Sequence, residues 1–565
     1  MARTSNRKPR SRPRTRRPET RAGARLRKLA RTILKARWDF RPTSAQQAGL
    51  HAYDGKLPDF SSRAIARRIT AVRSQLRQLQ AIGPDSLSPK DRLDHGVLVA
   101  MLEGELFDFE AMKLHRIFPP LYLWRMNLVD YLLRNYAPLE TRMRAVARLL
   151  EQVPRFVGQM RANLRRSIPE TCYEVGEQAC AGIIESYERE LPEFANRASV
   201  ATRDRLADAS AKAVASLRSF LDDLRTKYKP RVTTAIALGP TRYRRMIRAE
   251  HGLDIPLDRL REIGRADLDR NKAAFLDTAK RIDPTKTPRE VMEMVASNHP
   301  RAETLISETA AMLESIRDHV VHNKIVTVPS EVRCQVIETP RFYRFATAAL
   351  NPPGSFEKKA TEAFYYVTPV EPDWPLEKQE EWLRHLNTAS LRNISVHEAY
   401  PGHYVHFLHR MRGTSDVAKS YRSYAFTEGW AHYCEEMMVD YGFGGGDPKL
   451  RLVQLQDALL RNCRYISSIE MHTGGWGWED ATKFFMENAF LDRLPAEREA
   501  KRGTWDPGYL NYTLGKLIIK KLREDYFREH AKSTLTDFHD ELLSLGAPPL
   551  GLARDHMLPD GGELL

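Results

Sequence analysis

The sequence predicts a mainly α-helical fold with a small inserted β-sheet. Through most of the chain, apolar residues recur at three- and four-residue steps, as they do on the buried faces of amphipathic helices. Residues 325–372 instead contain short β-branched and aromatic runs between prolines and glycines, which is typical of strands and turns. The 565 residues are 42% hydrophobic and 29% charged, a composition that supports a sizeable core.

Residues 1–37 are expected to form a disordered basic tail. They contain fifteen lysines and arginines against one acid, Glu19, so almost all of the net charge of +16 lies there. Arginines spaced by proline, serine and threonine bury little apolar surface. Contact with nucleic acid is one interpretation of this tail, and a merely solvated tail is another.

The sequence also predicts a cytoplasmic protein without a membrane span. No run of about 18 apolar residues is present, and no apolar segment follows the basic N-terminus as in a secretory signal. The five cysteines are scattered and show no C-x-x-C spacing, which favours reduced core thiols over disulfides or a thiolate metal cluster.

We expect two lobes after the tail. Residues 38–324 read as a helical scaffold lobe, in which Ser88 and Pro89 predict a helix start and 139–167 and 203–227 predict further helices. Residues 325–565 read as the catalytic lobe. It opens with predicted strands at 324–329, 334–340 and 363–367, and the edge of this small sheet offers a place for an extended peptide.

Helices are predicted again from about residue 376. One apolar face leads into His397 through Leu383, Leu386, Ser390 and Ile394. Further helices are expected at 423–440 and 450–472, separated by the glycine-rich turn at 442–446.

The segment 397–403, His-Glu-Ala-Tyr-Pro-Gly-His, carries the chemistry. In the H-E-x-x-H zinc motif the two histidines share a helix face at i and i+4, whereas here the second histidine lies at i+6. Six residues of unbroken helix would set His397 and His403 roughly 120° apart. Pro401 and Gly402 predict a break after Glu398 that swings His403 back toward His397.

Two histidines leave a catalytic zinc ion short of one protein ligand. Glu428 supplies it on the next predicted helix, giving a His₂Glu set with an open fourth position. Glu435, seven residues later on the same face, is expected to orient a ligand. Glu398, adjacent to a ligand, is the expected general base.

These motifs resemble a known family. The segments HEAYPGHY (397–404), EGWAHYCEE (428–436), RYISSIEMHTGGW (464–476) and PGYLNYTLGK (507–516) are similar to the bacterial proteins of the domain of unknown function 885, and the similarity extends to 538–540. It covers roughly residues 370–550. It implies a large helical zinc-peptidase-like fold with a central channel, akin to neurolysin and carboxypeptidase Taq.

The resemblance also implies roles for single residues. His397, His403 and Glu428 would bind one zinc ion, Glu398 would be the base, and His472 and Tyr512 would stabilise the oxyanion. Tyr509 competes with Tyr512 for that role. His432 stands where the family usually has an apolar residue, and a fourth protein ligand there would close the open position.

The resulting prediction is a zinc-dependent hydrolase, a metallopeptidase that acts on short peptides with Glu398 activating a zinc-bound water. Two alternatives stay open. One is a metal-dependent hydrolase of a non-peptide amide or ester, and the other is a non-catalytic helical binding protein with a structural metal site. A retained Glu398 favours the enzymes, because a structural site needs no base.

Overall fold

The computed structural model describes residues 20–252, 254–340, 344, 347–413, 415–559 and 562–565. Helices before the sheet are α1 Arg21–Phe40, α2 Pro42–Gln47, α3 Ser62–Gln80, α4 Pro89–Leu106, α5 Leu114–Ile117, α6 Pro120–Leu123, α7 Val129–Leu133, α8 Leu139–Leu150, α9 Val153–Asn163, α10 Glu170–Glu185, α11 Leu191–Ala195, α12 Val200–Asp223, α13 Pro240–His251, α14 Leu257–Ile282, α15 Pro288–Ala296 and α16 Leu305–His322. Helices after it are α17 Leu376–His385, α18 Thr388–Glu398, α19 His403–Met411, α20 Asp416–Ser420, α21 Tyr424–Asp440, α22 Pro448–Ile469, α23 Trp478–Asn488, α24 Arg493–Trp505, α25 Asn511–Glu529, α26 Leu535–Ser544 and α27 Leu550–Met557. The predicted mainly α-helical class is confirmed.

The inserted sheet has three strands, β1 Gln335–Glu338, β2 Ala348–Asn351 and β3 Phe364–Val367, in the order β1-β3-β2. β1 runs parallel to the central β3, and β2 pairs with it antiparallel and forms an edge. The strand predicted at 324–329 is wrong, because this segment bonds to side chains instead of a neighbouring strand. Thr327 N–H donates to Asp540 Oδ1 at 2.9 Å.

The expectation of disorder through residue 37 is wrong for the described part of that segment. Thr20 caps α1 by accepting from Gly23 N–H, and the helix buries Leu26, Ile33 and Leu34. This stripe of apolar residues at helical spacing offsets the many arginines on the other faces. Residues 1–19, which include much of the predicted basic tail, lie outside the described residues.

Ser88 caps α4 as predicted, accepting from Asp91 N–H at 3.2 Å. The predicted continuous face leading into His397 is interrupted. α17 ends at His385 and α18 begins at Thr388, with the side chain of Asn387 capping α18 by accepting from Ser390 N–H.

The largest apolar core does not divide at the predicted lobe boundary of 324/325. It joins α13 to α16 with the sheet and with the helices after it, including Leu268 and Phe275 of α14 beside Leu459 and Ile466 of α22. Two smaller cores lie mainly among α1 to α12, and Ala360 and Val417 of α20 each join one of them. The helices that carry the metal motif therefore pack in one core with residues from before and after the predicted boundary.

Two predictions about the whole chain concern its cysteines and its membrane spans. All five cysteines are free and buried. Within the described residues, every helix is too short or too polar to cross a bilayer.

Candidate metal centre

The helix carrying His397 breaks where Pro401 and Gly402 predict it. α18 ends at Glu398, and α19 begins at His403. Only glycine fits at 402, because a Cβ atom there would lie 1.9 Å from the His397 carbonyl oxygen. The indole N–H of Trp430 on α21 stabilises this turn by donating to the Pro401 carbonyl oxygen at 3.0 Å.

The break brings the two histidines together over α21. Their rings lie edge to face with centroids 4.7 Å apart. His397 Nε2 is 3.6 Å and His403 Nε2 is 3.4 Å from the same atom, Glu428 Oε2. Three residues from three helices thus direct one donor atom each at a common point.

These separations fit a zinc ion. Two atoms that each lie roughly 2.1 Å from a tetrahedral ion are about 3.4 Å apart. Glu398 is a second acidic neighbour, since a carboxylate oxygen of Glu398 lies within 4.8 Å of the donor atoms of both histidines. Glu428 is the better third donor, because it is closer to both and because Glu398 is held elsewhere.

Glu435 holds the first histidine from behind. Its Oε1 accepts from His397 Nδ1 at 2.6 Å, which leaves Nε2 of that ring to face Glu428. Arg461 on α22 lies 2.9 Å from the same oxygen. Sequence reasoning found Glu435 by its heptad spacing but missed Arg461, because no local pattern links α22 to α21.

Electrostatics favour a cation at this point. Burial acts to raise the pKa of Glu428, but His403 and His397 outweigh it and hold that pKa well below its ordinary value. Burial acts to lower the pKa of His397. Interactions with the carboxylates of Glu428 and Glu435 outweigh this effect and raise the pKa of His397 to about 9. The buried carboxylates therefore stabilise positive charge where the donor atoms converge.

Glu398 faces the sheet. Its Oε2 accepts from the backbone N–H of Leu350 at 3.0 Å. Leu350 lies in the edge strand β2, and this N–H points away from the central strand. The predicted base and the free edge of the sheet therefore border the same space, a contact that the sequence did not reveal.

Tyr512 lies at the site and Tyr509 does not. The Tyr512 ring stacks beside His397 with centroids 6.4 Å apart, and both side chains line one cavity with Glu398, His403 and Glu428. Burial and the charge of Glu428 raise the pKa of Tyr512 above its ordinary value, so the phenol keeps its proton. Tyr509 is fully buried beside Gly503, away from that cavity.

The helices that carry Glu428 and Tyr512 touch backbone to backbone. A Cβ atom added to Gly429 on α21 would lie 2.5 Å from the Gly515 Cα on α25. One added to Gly515 would lie 2.1 Å from the Ala425 carbonyl oxygen. The two glycines of the E-G-W and L-G-K segments thus set the distance across the site.

The structure does not bring His472 to the centre, which corrects its predicted oxyanion role. Its Nε2–H donates to the Gly503 carbonyl at 2.9 Å, its ring stacks on Tyr243, and it lines a different cavity. His432 does not line the cavity that holds His397, His403 and Glu428. It is fully buried, with Nδ1 3.2 Å from Glu435 Oε2.

The centre opens into a cavity of about 800 Å³. A second cavity of about 410 Å³ shares Arg37, Tyr421 and Arg422 with its wall. A third, of about 850 Å³, shares Met112, Leu114 and Trp505 with the second. The three adjoin in a row, an arrangement that suits an extended ligand better than a compact one.

Comparisons with known proteins agree with the fold and leave the activity open. A family model described as a bacterial protein of unknown function, DUF885, matches residues 42–557. No curated protein matches.

Solved structures similar to this chain include two that cover 94% and 95% of it. A candidate lipoprotein of unknown function from Shewanella oneidensis has a TM-score of 0.79 at 23% identity, over 94% of this chain and 99% of its own. A candidate lipoprotein from Colwellia psychrerythraea has a TM-score of 0.79 at 16% identity, over 95% and 98%. At these identities the likeness shows the fold alone.

Proposed function

This chain belongs to the bacterial DUF885 family, whose function is unknown, and on that premise we propose that it is a zinc-dependent hydrolase, a metallopeptidase acting on short peptides. The observation that carries the proposal is the convergence of His397 Nε2 and His403 Nε2 on Glu428 Oε2 at 3.6 and 3.4 Å. When bound, one zinc ion supplies a Lewis acid and lowers the pKa of a coordinated water toward about 7.

The remaining side chains have complementary roles. Glu398 lies beside both histidines and accepts a proton from the attacking water at its carboxylate. Tyr512 retains its phenolic proton and donates a hydrogen bond to the oxyanion that develops on the carbonyl. Glu435 is a positioning residue, since it acts only through His397.

The edge strand supports a peptide as the substrate. Ala349 and Leu350 of β2 line the same cavity as the metal-binding residues. An extended peptide that pairs with this edge has its backbone aligned by hydrogen bonds, and its scissile carbonyl lies near the histidines. A carbonyl that accepts from Leu350 N–H also releases Glu398 from the bond that now holds it.

The test compares metal content and peptide hydrolysis in variants of the full chain. We expect Glu398→Gln to keep about one zinc per chain and to lose turnover at least 100-fold. His397→Ala is expected to lose both metal and turnover. The matched controls are Glu377→Gln and His322→Ala, which alter exposed residues outside the cavity and should leave both unchanged.

Three outcomes would count against the proposal in different ways. A gently purified protein without stoichiometric metal would exclude the metal centre. Full hydrolysis by Glu398→Gln would remove only the assignment of the base. Turnover of esters or non-peptide amides without any peptide cleavage would retain the hydrolase and change its substrate. The cytoplasmic location of the protein stays a prediction.

A further inference from the structure

The wall of the metal-site cavity is rich in cations. Arg37, Arg410, Lys419 and Arg422 line it. The carboxylates that line it are Glu398, which accepts from Leu350 N–H, and Glu428, which faces both histidines. Arg37 is 3.3 Å from Glu105. The other three cations have no carboxylate within 4.0 Å among the residues that the structure describes.

Arg410 is the unusual member of this group. Its guanidinium NH₂ donates to the Lys419 carbonyl oxygen at 2.6 Å, while its buried Nε has no hydrogen-bond partner within the described structure. Burial, and then the neighbouring charge of Arg422, lower the pKa of Arg410 to about 9. A largely buried cation without a counter-charge is costly, and it is retained where a ligand supplies that charge.

Two hydroxyl groups on the same wall also lack partners. Ser420 Oγ and Thr427 Oγ1 are buried and make no hydrogen bond to any described residue. Thr427 immediately precedes Glu428, and Ser420 lies between Lys419 and Arg422. Unpaired donors of Arg410, Ser420 and Thr427 therefore lie along the cavity wall between the basic residues and the metal centre.

From this arrangement we propose that Arg410, Lys419 and Arg422 form a subsite for the C-terminal carboxylate of the substrate. A carboxylate pairs with a guanidinium through charge-assisted hydrogen bonds and accepts further bonds from hydroxyl groups. The subsite deepens the proposed function, and its substrate class rests on that function. The shared chemistry is a carboxylate, which a peptide carries at its C-terminus or in an acidic side chain.

The helix α19 sets the distance between this subsite and the metal centre. His403 and Arg410 are seven residues apart on one face, a rise of roughly 10 Å. The side chain of Arg410 leans toward the helix N-terminus, which shortens the gap. Because an extended peptide advances roughly 3.3 Å per residue, a bound C-terminus leaves one to three residues beyond the scissile bond.

The experiment measures binding separately from hydrolysis. Zinc-loaded Glu398→Gln protein is titrated calorimetrically with acetyl-tetra-alanine as the free acid, as the C-terminal amide, and as an amide with one internal glutamate. We expect the free acid to bind at least about tenfold more tightly than either amide. Wild-type enzyme should release fragments of one to three residues from the free acid.

Variants locate the effect on the wall. Arg410→Met and Arg422→Gln, each combined with Glu398→Gln, are expected to remove the preference for the free acid. Arg422 is exposed, so its variant tests the subsite even if the Arg410 variant does not fold. The control Arg498→Gln changes an exposed arginine on α24, outside the cavity, and should keep the preference.

Each result decides the proposal. Equal binding of acid and amide, or a preference that survives both variants, would overturn the subsite. A preference for the peptide with the internal glutamate would replace the C-terminal assignment by an acidic side chain. If the free acid binds through Arg410 but no peptide is hydrolysed by wild type, the subsite stands and the proposed peptidase activity fails.

Discussion

The backbone contact between α21 and α25 makes Gly515→Ala a sharp test of how the site is held. Two effects of opposite sign compete. Alanine is favoured over glycine in a helix interior by about 1 kcal/mol, so propensity alone predicts a more stable protein. The added methyl group, however, would lie 2.1 Å from the Ala425 carbonyl oxygen and 2.8 Å from the Gly429 Cα.

The steric effect should dominate. An ordinary van der Waals contact of a Cβ atom begins at 3.4 Å, so the methyl group is more than 1 Å too close to a backbone atom of another helix. The three nearest atoms are all backbone atoms of α21, so the two helices must separate to admit the methyl group. An overlap of this size with backbone atoms places the cost at the upper end of the usual range for overpacking, about 2–3 kcal/mol. After the gain of about 1 kcal/mol in helix propensity, the net free energy of unfolding should fall by about 1–2 kcal/mol.

Urea denaturation followed by circular dichroism measures this change. The control is Gly158→Ala in α9, where nothing lies within 4 Å of the added Cβ atom, and it should raise the free energy of unfolding by about 0.5–1 kcal/mol. A Gly515→Ala protein as stable as wild type, or more stable, would refute the close approach of the two helices.

Three further predictions concern charged groups. Glu435→Gln should weaken zinc binding about 10- to 100-fold in competition with a chelator, because His397 loses its anionic partner, and an unchanged affinity would contradict that role. Lys516→Met should lower the free energy of unfolding by about 3 kcal/mol, because the buried carboxylates of Asp267 and Glu436 lose one of their cationic partners. Urea unfolding identical to that of wild type would contradict this prediction. Burial acts to lower the pKa of His51, but Asp54 and Glu357 outweigh this effect and raise the pKa. The charged His51 therefore stabilises the folded protein below pH 6.5, and this contribution is lost as the pH rises through the pKa of His51 in the folded state. His51→Gln should therefore cost about 1 kcal/mol at pH 5.5 and less at pH 8.5, and equal losses at both values would exclude the charged pair.

Local chemistry was enough to predict the helix break. A proline removes one backbone donor and clashes with the preceding turn, and this holds wherever the helix lies in the fold. The cap of α4 at Ser88 was predictable for the same reason. The approach of His397 and His403 to Glu428 was also predictable, because each residue lies on a strongly patterned segment. Their role as metal donors stays a prediction.

Features that depend on tertiary partners could not be predicted in this way. Residues 324–329 have a strand-like sequence, but a strand needs a neighbour, and here Asp540 takes that place. Tyr509 and Tyr512 were indistinguishable because the turn at Pro507–Leu510 precedes α25 and rotates the first ring away. The many basic residues of α1 led to a prediction of disorder, whereas the helical spacing of its apolar residues would have indicated a packed helix.

That first helix has a consequence for the order in which the protein is made. Arg37 of α1 and Tyr512 of α25 line the same cavity, although nearly the whole chain separates them in sequence. During synthesis Leu26, Ile33 and Leu34 are made long before α25. They become buried when α3 and α4 pack against them. The cavity gains its last lining residue, Tyr512, only when α25 is made, so its wall cannot be complete until most of the chain has been synthesised.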